Sequence, residues 1–252
     1  MLEHILLFII SLVANTLSSL AGGGAGLLQL PVLIFLGLPF GIALATHKIA
    51  SVALGLGASI KYLKTGGYRW QLVAIMIGGA LPGVVLGANV ILQIPANIAM
   101  LSLGCLTIAL GIYSIVKPHL GLQDELKNLS VKGYFIGALG LFLIGILNGS
   151  LTSGTGLFVT MWLIYWFGMG YARAVSYTLV MVGILWNGAG AITLALISAV
   201  QWSWLPALLL GSLLGGYLGA HIALTKGNTL VKRTFEVMTI VTGLALLLKA
   251  LP

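Results

Sequence analysis

Charge is what this sequence has least of. Of its 252 residues only 6% are charged, and the acidic ones are Glu3, Asp124, Glu125 and Glu236. Soluble domains carry about 25% charged residues, so a soluble globular body is excluded, and the mean hydropathy of +1.14 belongs to a chain folded in lipid. So few carboxylates remove paired-acid catalysis. The scattered His4, His47, His119 and His221 leave no metal cluster and no nucleophile beside a base. Neither an enzyme nor a cofactor is expected. The single cysteine, Cys105, excludes an intrachain disulfide and a CxxC site. Long polar stretches are missing as well, and the longest, 117–132, is too short to fold as a domain. Residues 1–20 lack a basic start, Glu3 standing there instead, and lack a small-x-small cleavage site, so they are read as retained.

What is present is a series of apolar segments at 40–62, 70–92, 97–116, 172–197, 203–224 and 230–250. Each has the roughly 20 residues that a helix needs to cross about 30 Å of hydrocarbon. Two further apolar stretches, 4–37 and 133–168, are interrupted near their middles. The first is broken by Gly22-Gly23-Gly24-Ala25-Gly26 and the second by Gly149-Ser150-Leu151-Thr152-Ser153-Gly154-Thr155-Gly156. Glycine costs about 1 kcal/mol per residue relative to alanine inside a helix, and in hydrocarbon a broken backbone persists only inside protein or beside a watery cavity.

The two halves resemble each other. Gly24 and Gly26 match Gly154 and Gly156 at an offset of 130, and Gly37, Ala43 and Gly57 match Gly168, Ala174 and Gly188 at 131. Trp70, Gly79, Gly83, Gly87, Ala88 and Gly111 match Trp202, Gly211, Gly215, Gly219, Ala220 and Gly243 at 132. Such a near-constant offset marks an internal repeat.

Loop charges relate the halves, because short cytoplasmic loops collect Lys and Arg. Lys61, Lys64 and Arg69 follow segment 40–62, while the equivalent loop near 198–203 has no base. The next loop, 93–96, has none, while its counterpart holds Lys226, Lys232 and Arg233. Equivalent loops therefore face opposite sides, and the expected fold is an all-α polytopic membrane protein of two inverted-topology repeats. Each is a re-entrant or broken helical hairpin plus three transmembrane helices, residues 1–117 and 133–252 about a cytoplasmic linker at 118–132. Arm 26–36 would span about 16 Å, half a bilayer. The basic loops lie inside, with Lys249 outside. The competing topology has eight full spans, parallel repeats and Lys61 to Arg69 outside. The net charge of +8 sits in short loops, where it reads as topology signal and contact with anionic lipid, not nucleic acid. Trp202 and Trp204 outside, with Tyr68 and Trp70 inside, fit interface anchors.

Half-helices that start after Gly26 and Gly156 would point positive dipole ends at the midplane, where they bind anions. Candidate substrate contacts are Gly22, Gly23, Gly24, Gly26, Gly154 and Gly156, the hydroxyls of Ser150, Thr152, Ser153, Thr155 and Thr178, and Thr46-His47-Lys48. Lys48 falls near the bilayer centre, where an unpaired cation is costly, and no acidic residue in the spans is a plausible partner. It calls for an anionic ligand, although its stem could instead snorkel outward. Histidine is the side chain whose unperturbed charge change falls near neutral pH, which makes His47 a candidate carrier of a coupling proton, or it is a packing residue. Asn187 could face the site or bond a neighbouring helix. The glycines spaced by four, Gly79, Gly83 and Gly87 with Gly211, Gly215 and Gly219, read as close helix packing.

The run GGGAG followed by Pro31, then Gly37-Leu38-Pro39, Ala43-Leu44-Ala45-Thr46, Gly66, Trp70 and Gly83-x-x-x-Gly87-Ala88, resembles the TauE/SafE sulfite/sulfonate exporter family. Gly154-Thr155-Gly156, Ala174, Trp202 and Gly219-Ala220 echo it in the second half, so the resemblance covers nearly the whole chain. Two departures stand out. His47 replaces Asn in a Thr-Asn-Lys form found in part of the family, and Met161 or Trp162 stands where a counterpart of Pro31 would be. The resemblance implies a multi-pass carrier in a prokaryotic cytoplasmic (inner) membrane that moves sulfite, sulfoacetate or similar sulfur-containing anions. A proton or sodium ion would be the coupling ion, and a homodimer is a compatible assembly. The alternatives are an anion channel or a carrier of an unrelated small organic anion.

Overall fold

The computed structural model describes residues 2–90, 96–151 and 154–250, and their regular elements are all helical. The first half holds α1 (Leu2–Ala21), α2 (Ala25–Phe35), α3 (Phe40–Tyr62), α4 (Trp70–Gly78), α5 (Ala80–Val90) and α6 (Ala96–Val116). The second holds α7 (Val131–Leu151), α8 (Thr155–Phe167), α9 (Tyr171–Tyr177), a π-helical stretch (Thr178–Trp186), α10 (Asn187–Ile197) and α11 (Leu205–Ala250). Among the described residues, six helices are long and apolar enough to cross a membrane: Leu2–Ala21, Phe40–Tyr62, Trp70–Val90, Val131–Ser150, Tyr171–Ile197 and Trp202–Ala250. The last is two arms, because Gly227 breaks α11 at φ 77°, ψ −173°. The chain is thus an all-α polytopic membrane protein.

The two interrupted stretches fold as helical hairpins. Gly22 and Gly23 both donate their N–H to Ser18 O, at 2.8 and 2.9 Å, which ends α1. Gly24 (φ 102°) and Gly154 (φ 79°) then sit in left-handed conformations immediately before α2 and α8. At the far end of α2, Gly37 (φ 100°) donates to Ile34 O at 2.9 Å and Leu38 to Leu33 O at 3.1 Å. That pair of bonds is a Schellman stop, and Pro39 then turns the chain into α3. The hairpins are lopsided, which the arm lengths read from sequence understate. α1 and α7 have 20 and 21 residues, about 30 Å of helix, against 11 and 13 residues in α2 and α8, about 16 and 20 Å.

Packing between the halves is reciprocal. A Cβ on Gly211, Gly215 or Gly219 would lie 2.4 to 2.6 Å from the carbonyl oxygens of Phe8, Leu12 and Thr16 in α1. A Cβ on Gly83 or Gly87 would lie 2.3 or 2.0 Å from those of Phe142 and Ile146 in α7, and Gly79 abuts Ala138. The three α1 positions precede the three α7 positions by 130 residues. Small residues let these backbones approach closely, as the glycine spacing foretold. α3 runs antiparallel to the span 171–197: Lys48 lies against Asn187 and Gly190, Gly55 against Gly183, and Arg69 against Tyr177. α6 runs antiparallel to the last arm of α11, with Gly104 against Gly243 and Gly111 against Thr239.

Two residues expected at the membrane interface are packed instead. Trp204 is buried with Leu7, Leu33, Leu44 and Leu208, and Tyr68 lies against Tyr177 with ring centres 4.7 Å apart. Trp202 and Trp70 are exposed. The segment 117–130 is strapped across the ends of α8 and α9: Glu125 N–H donates to Gly168 O at 2.8 Å, Lys127 N–H to Phe167 O at 3.0 Å and Tyr171 N–H to Gly121 O at 2.8 Å.

Candidate anion site between the hairpin tips

The tips of the two hairpins touch. Thr160 Oγ1, one turn into α8, donates to Gly22 O at 3.2 Å and lies 2.9 Å from Thr178 Oγ1 in the π-helical stretch. A Cβ on Gly23 would fall 2.7 Å from Gly156 Cα and from Leu157 N, so the contact is backbone on backbone. Beside it lies a cavity of about 40 Å³. One water needs roughly 10–15 Å³ of such space, so it suits a few waters or a compact anion. Ser18, Gly22, Gly23, Gly24, Ala25, Gly26, His47, Ser51, Leu54, Asn148, Gly156, Thr178, Leu179, Val182, Gly183 and Asn187 line it.

The lining joins α1, α2, α3, α7, α8, the π-helical stretch and α10. α2 and α8 both begin there, so the positive ends of two helix dipoles converge without a basic side chain. Ser18 is fully buried and lines the cavity, and among the described residues its hydroxyl has no hydrogen-bond partner. The π-helical geometry falls where Thr178, Leu179, Val182 and Gly183 meet the cavity; such irregular turns recur at functional sites.

Lys48 is fully buried, and no carboxylate pairs with it: the ion pairs among the described residues are Arg173–Asp124, Lys232–Glu236 and Arg233–Glu236. Its ammonium donates to Asn148 O and Oδ1, both at 2.9 Å, and to Asn187 Oδ1 at 3.1 Å. Those three bonds use all its protons. The charge therefore sits one layer behind the cavity wall, held by neutral oxygens. Asn148 Nδ2 in turn donates to Thr155 Oγ1 at 2.9 Å.

His47 heads a buried polar chain. Asn15 Nδ2 donates to Ser11 O at 2.7 Å, and Ser11 Oγ donates to Leu208 O at 2.8 Å, so Ser11 Oγ accepts from Gln29 Nε2 at 3.0 Å. Gln29 Oε1 then faces His47 Nδ1 at 2.7 Å, which assigns the proton to Nδ1. His47 Nε2 lies 3.2 Å from Ser51 Oγ, whose proton is also within reach of His47 O at 3.0 Å.

Of the residues singled out from sequence, Gly22, Gly23, Gly24, Gly26, His47, Gly156 and Thr178 line the cavity. Gly154 caps α8, and Thr155 and Lys48 stand one layer back. Thr46 is turned away, donating to Ile42 O at 2.7 Å and accepting from Gln201 N–H at 3.0 Å. Ser150 donates back into its own helix, to Ile146 O at 2.9 Å. Thr152 and Ser153 lie outside the described residues. Sequence reasoning missed Ser18, Ser51, Gln29 and Asn148. Ser18 belongs to a stripe, Ser11, Asn15, Ser18 and Ser19, all buried on one face of an otherwise apolar helix; that helical spacing was the available signal. Among the described residues no group of His, Cys, Asp and Glu could hold a metal ion.

A family model described as sulfite exporter TauE/SafE matches residues 7–246. The chain is 29% identical over 234 residues to a probable membrane transporter protein of Haemophilus influenzae, covering 93% of this chain and 90% of that one. It is 28% identical over 245 residues to the probable membrane transporter protein ORF9 of a Sinorhizobium species, covering 96% and 91%. It is 25% identical over 241 residues to the probable membrane transporter protein YfcA of Escherichia coli, covering 96% and 88%. No solved structure matches.

Proposed function

Because the chain belongs to the sulfite exporter TauE/SafE family of membrane proteins, we propose that it is a secondary transporter moving small sulfur-containing anions across a prokaryotic cytoplasmic membrane by alternating access. The observation that carries the reading is the contact of the two hairpin tips at a polar cavity with a buried, carboxylate-free cation, Lys48, behind its wall. Helix starts, hydroxyls and a cation without a counter-ion all favour a negative occupant. The cavity's size suits a compact oxyanion such as sulfite better than an extended sulfonate.

Alternating access follows from a two-repeat reading. We take residues 1–117 and 133–252 as inverted-topology repeats; antiparallel packing of α3 on 171–197 and of α6 on the last arm of α11 supports this. Each hairpin packs on a glycine-spaced helix of the other half, so exchanging the two conformations would open the cavity first to one side and then to the other. Gly22, Gly23, Gly24, Gly26, Gly154 and Gly156 supply backbone to the anion. His47 takes up the coupling proton on Nε2, with Ser51 Oγ as acceptor.

Counterflow in proteoliposomes tests the reading, with sulfite, thiosulfate, sulfate and taurine offered in turn, with and without a pH gradient. Saturable exchange of a sulfur oxyanion is expected. Non-saturating flux would make the protein a channel, and absence of flux with every anion would refute the assignment.

A further inference from the structure

The geometry points to Ser18 and Asn187 as the side chains that donate hydrogen bonds to the bound anion, with Lys48 as a positioning residue behind them. This rests on the anion-carrier reading and names contacts within it.

Lys48 can only donate. Because its ammonium takes Asn187 Oδ1 at 3.1 Å, that amide has one possible orientation: Nδ2 is the other end. Asn187 lines the cavity, and among the described residues its Nδ2 has no hydrogen-bond partner. The same ammonium takes Asn148 Oδ1 and turns that Nδ2 to Thr155. One cation thus orders two asparagines, and one of them offers its donors to the cavity. Ser18 supplies an independent sign of a missing partner. A helical serine ordinarily returns its proton to the carbonyl four residues back, as Ser51 and Ser59 do here. Ser18 does not, although it is fully buried, and a buried hydroxyl without a partner is costly. An oxyanion between the tips would accept from both groups while Lys48 contributes its field through one layer of amide.

The test uses the full chain in proteoliposomes with sulfite and thiosulfate as probes, alongside melting in detergent. Ser18→Ala should leave the melting temperature unchanged or raised, since it deletes an unsatisfied group, yet raise KM about tenfold with Vmax little changed. Asn187→Asp keeps an oxygen for Lys48 but loses the amide donors, and should raise KM at least tenfold in a folded protein. The new carboxylate also repels the anion, so Asn187→Ala is measured beside it: it removes the amide donors without adding charge and should raise KM about tenfold, whereas a wild-type KM in a folded Asn187→Ala would mean that Asn187 only ties helices together. Lys48→Gln retains two donors for the asparagine oxygens and should bind sulfite several-fold better than Lys48→Met, which retains none. Normal wild-type exchange with unchanged KM in Ser18→Ala and Asn187→Ala overturns this inference while the carrier reading stands. Equal losses in Lys48→Gln and Lys48→Met overturn the positioning role. Absence of wild-type exchange with both probes overturns the carrier reading and this inference with it.

Discussion

Replacing Gly23 by alanine probes the contact between the tips, and Gly37→Ala is its control. Both glycines have positive φ, 152° and 100°, so each alanine pays a backbone penalty of about 1–3 kcal/mol. Around Gly37 an added Cβ meets nothing within 4 Å, and the cost stops there. At Gly23 the Cβ would sit 2.7 Å from Gly156 Cα, among backbone atoms that cannot rotate away. Overpacking of that kind adds about 1–3 kcal/mol. The two variants should therefore differ by about 1–3 kcal/mol, roughly 5- to 150-fold in the unfolding equilibrium constant. Equilibrium unfolding in mixed dodecyl maltoside and SDS micelles would read the difference, and counterflow would read function. Gly23→Ala should lose transport, while Gly37→Ala keeps it wherever the protein is folded. Equal destabilisation by the two alanines, or wild-type transport in Gly23→Ala, would refute backbone contact between the tips as the organising feature of the site.

Thr160→Val removes the hydroxyl that joins Gly22 O to Thr178 and should cost about 1–2 kcal/mol in the same unfolding assay. Lys232 holds the end of α6 through Ser114 O and Lys117 O, both at 2.8 Å, and lies 3.4 Å from buried Glu236. Lys232→Met, which leaves that carboxylate with Arg233 and Ser114, should destabilise by about 3 kcal/mol and lower expression. Topology is open to labelling in a Cys105→Ala background: Glu3→Cys and Gln123→Cys should react from opposite sides of the membrane, and labelling from one side would refute inverted repeats. Gln123 is the better inner site, because a Cβ at Gly121 would lie 2.6 Å from the Tyr171 ring. In the loop before α4, burial raises the Tyr68 phenol above its ordinary value, with Tyr177 adding to the rise. The unfolded chain then ionises first, so stability should fall as pH climbs above about 10. Tyr68→Phe should flatten that fall in a detergent melting series.

Much of the architecture was legible because bilayer crossing constrains composition so strongly. Runs near 40–62 and 172–197 could hardly be other than helices, and positive-φ glycines at 22–24 and 154 forced the breaks where they occur. Hairpin arm lengths were less legible, since the ends of α1 and α7 lie inside continuous apolar sequence and are set by tertiary packing. At the candidate site the sequence marks the glycine backbone of the cavity more readily than the side chains around it. Lys48 reads as a free cation because its partners, Asn148 and Asn187, are 100 and 139 residues away and neutral. Thr46 shares a tripeptide with His47 and Lys48, but a helix turns about 100° per residue, and one of the three had to face elsewhere. Ser18 is a single hydroxyl in an apolar helix, and only the placement of α2 and α8 shows what it lines.

The reciprocal packing of the hairpins also governs how such a chain can be assembled. The buried polar groups of α1, Ser11 and Asn15, find their partners Leu208 and Ser212 at sequence separations of 197 to 201 residues. At synthesis rates of about 5–20 residues per second, α1 waits on the order of 10–40 s before that helix exists. During that interval its serines and asparagine must be sheltered by lipid headgroups, water or the insertion machinery, because hydrocarbon offers them nothing. Neither half holds the glycine-spaced helix on which its own hairpin packs, so a chain truncated before residue 205 should be recognised as unfinished by membrane proteases. Fragments 1–117 and 133–252, each unstable alone, should rescue one another when produced together.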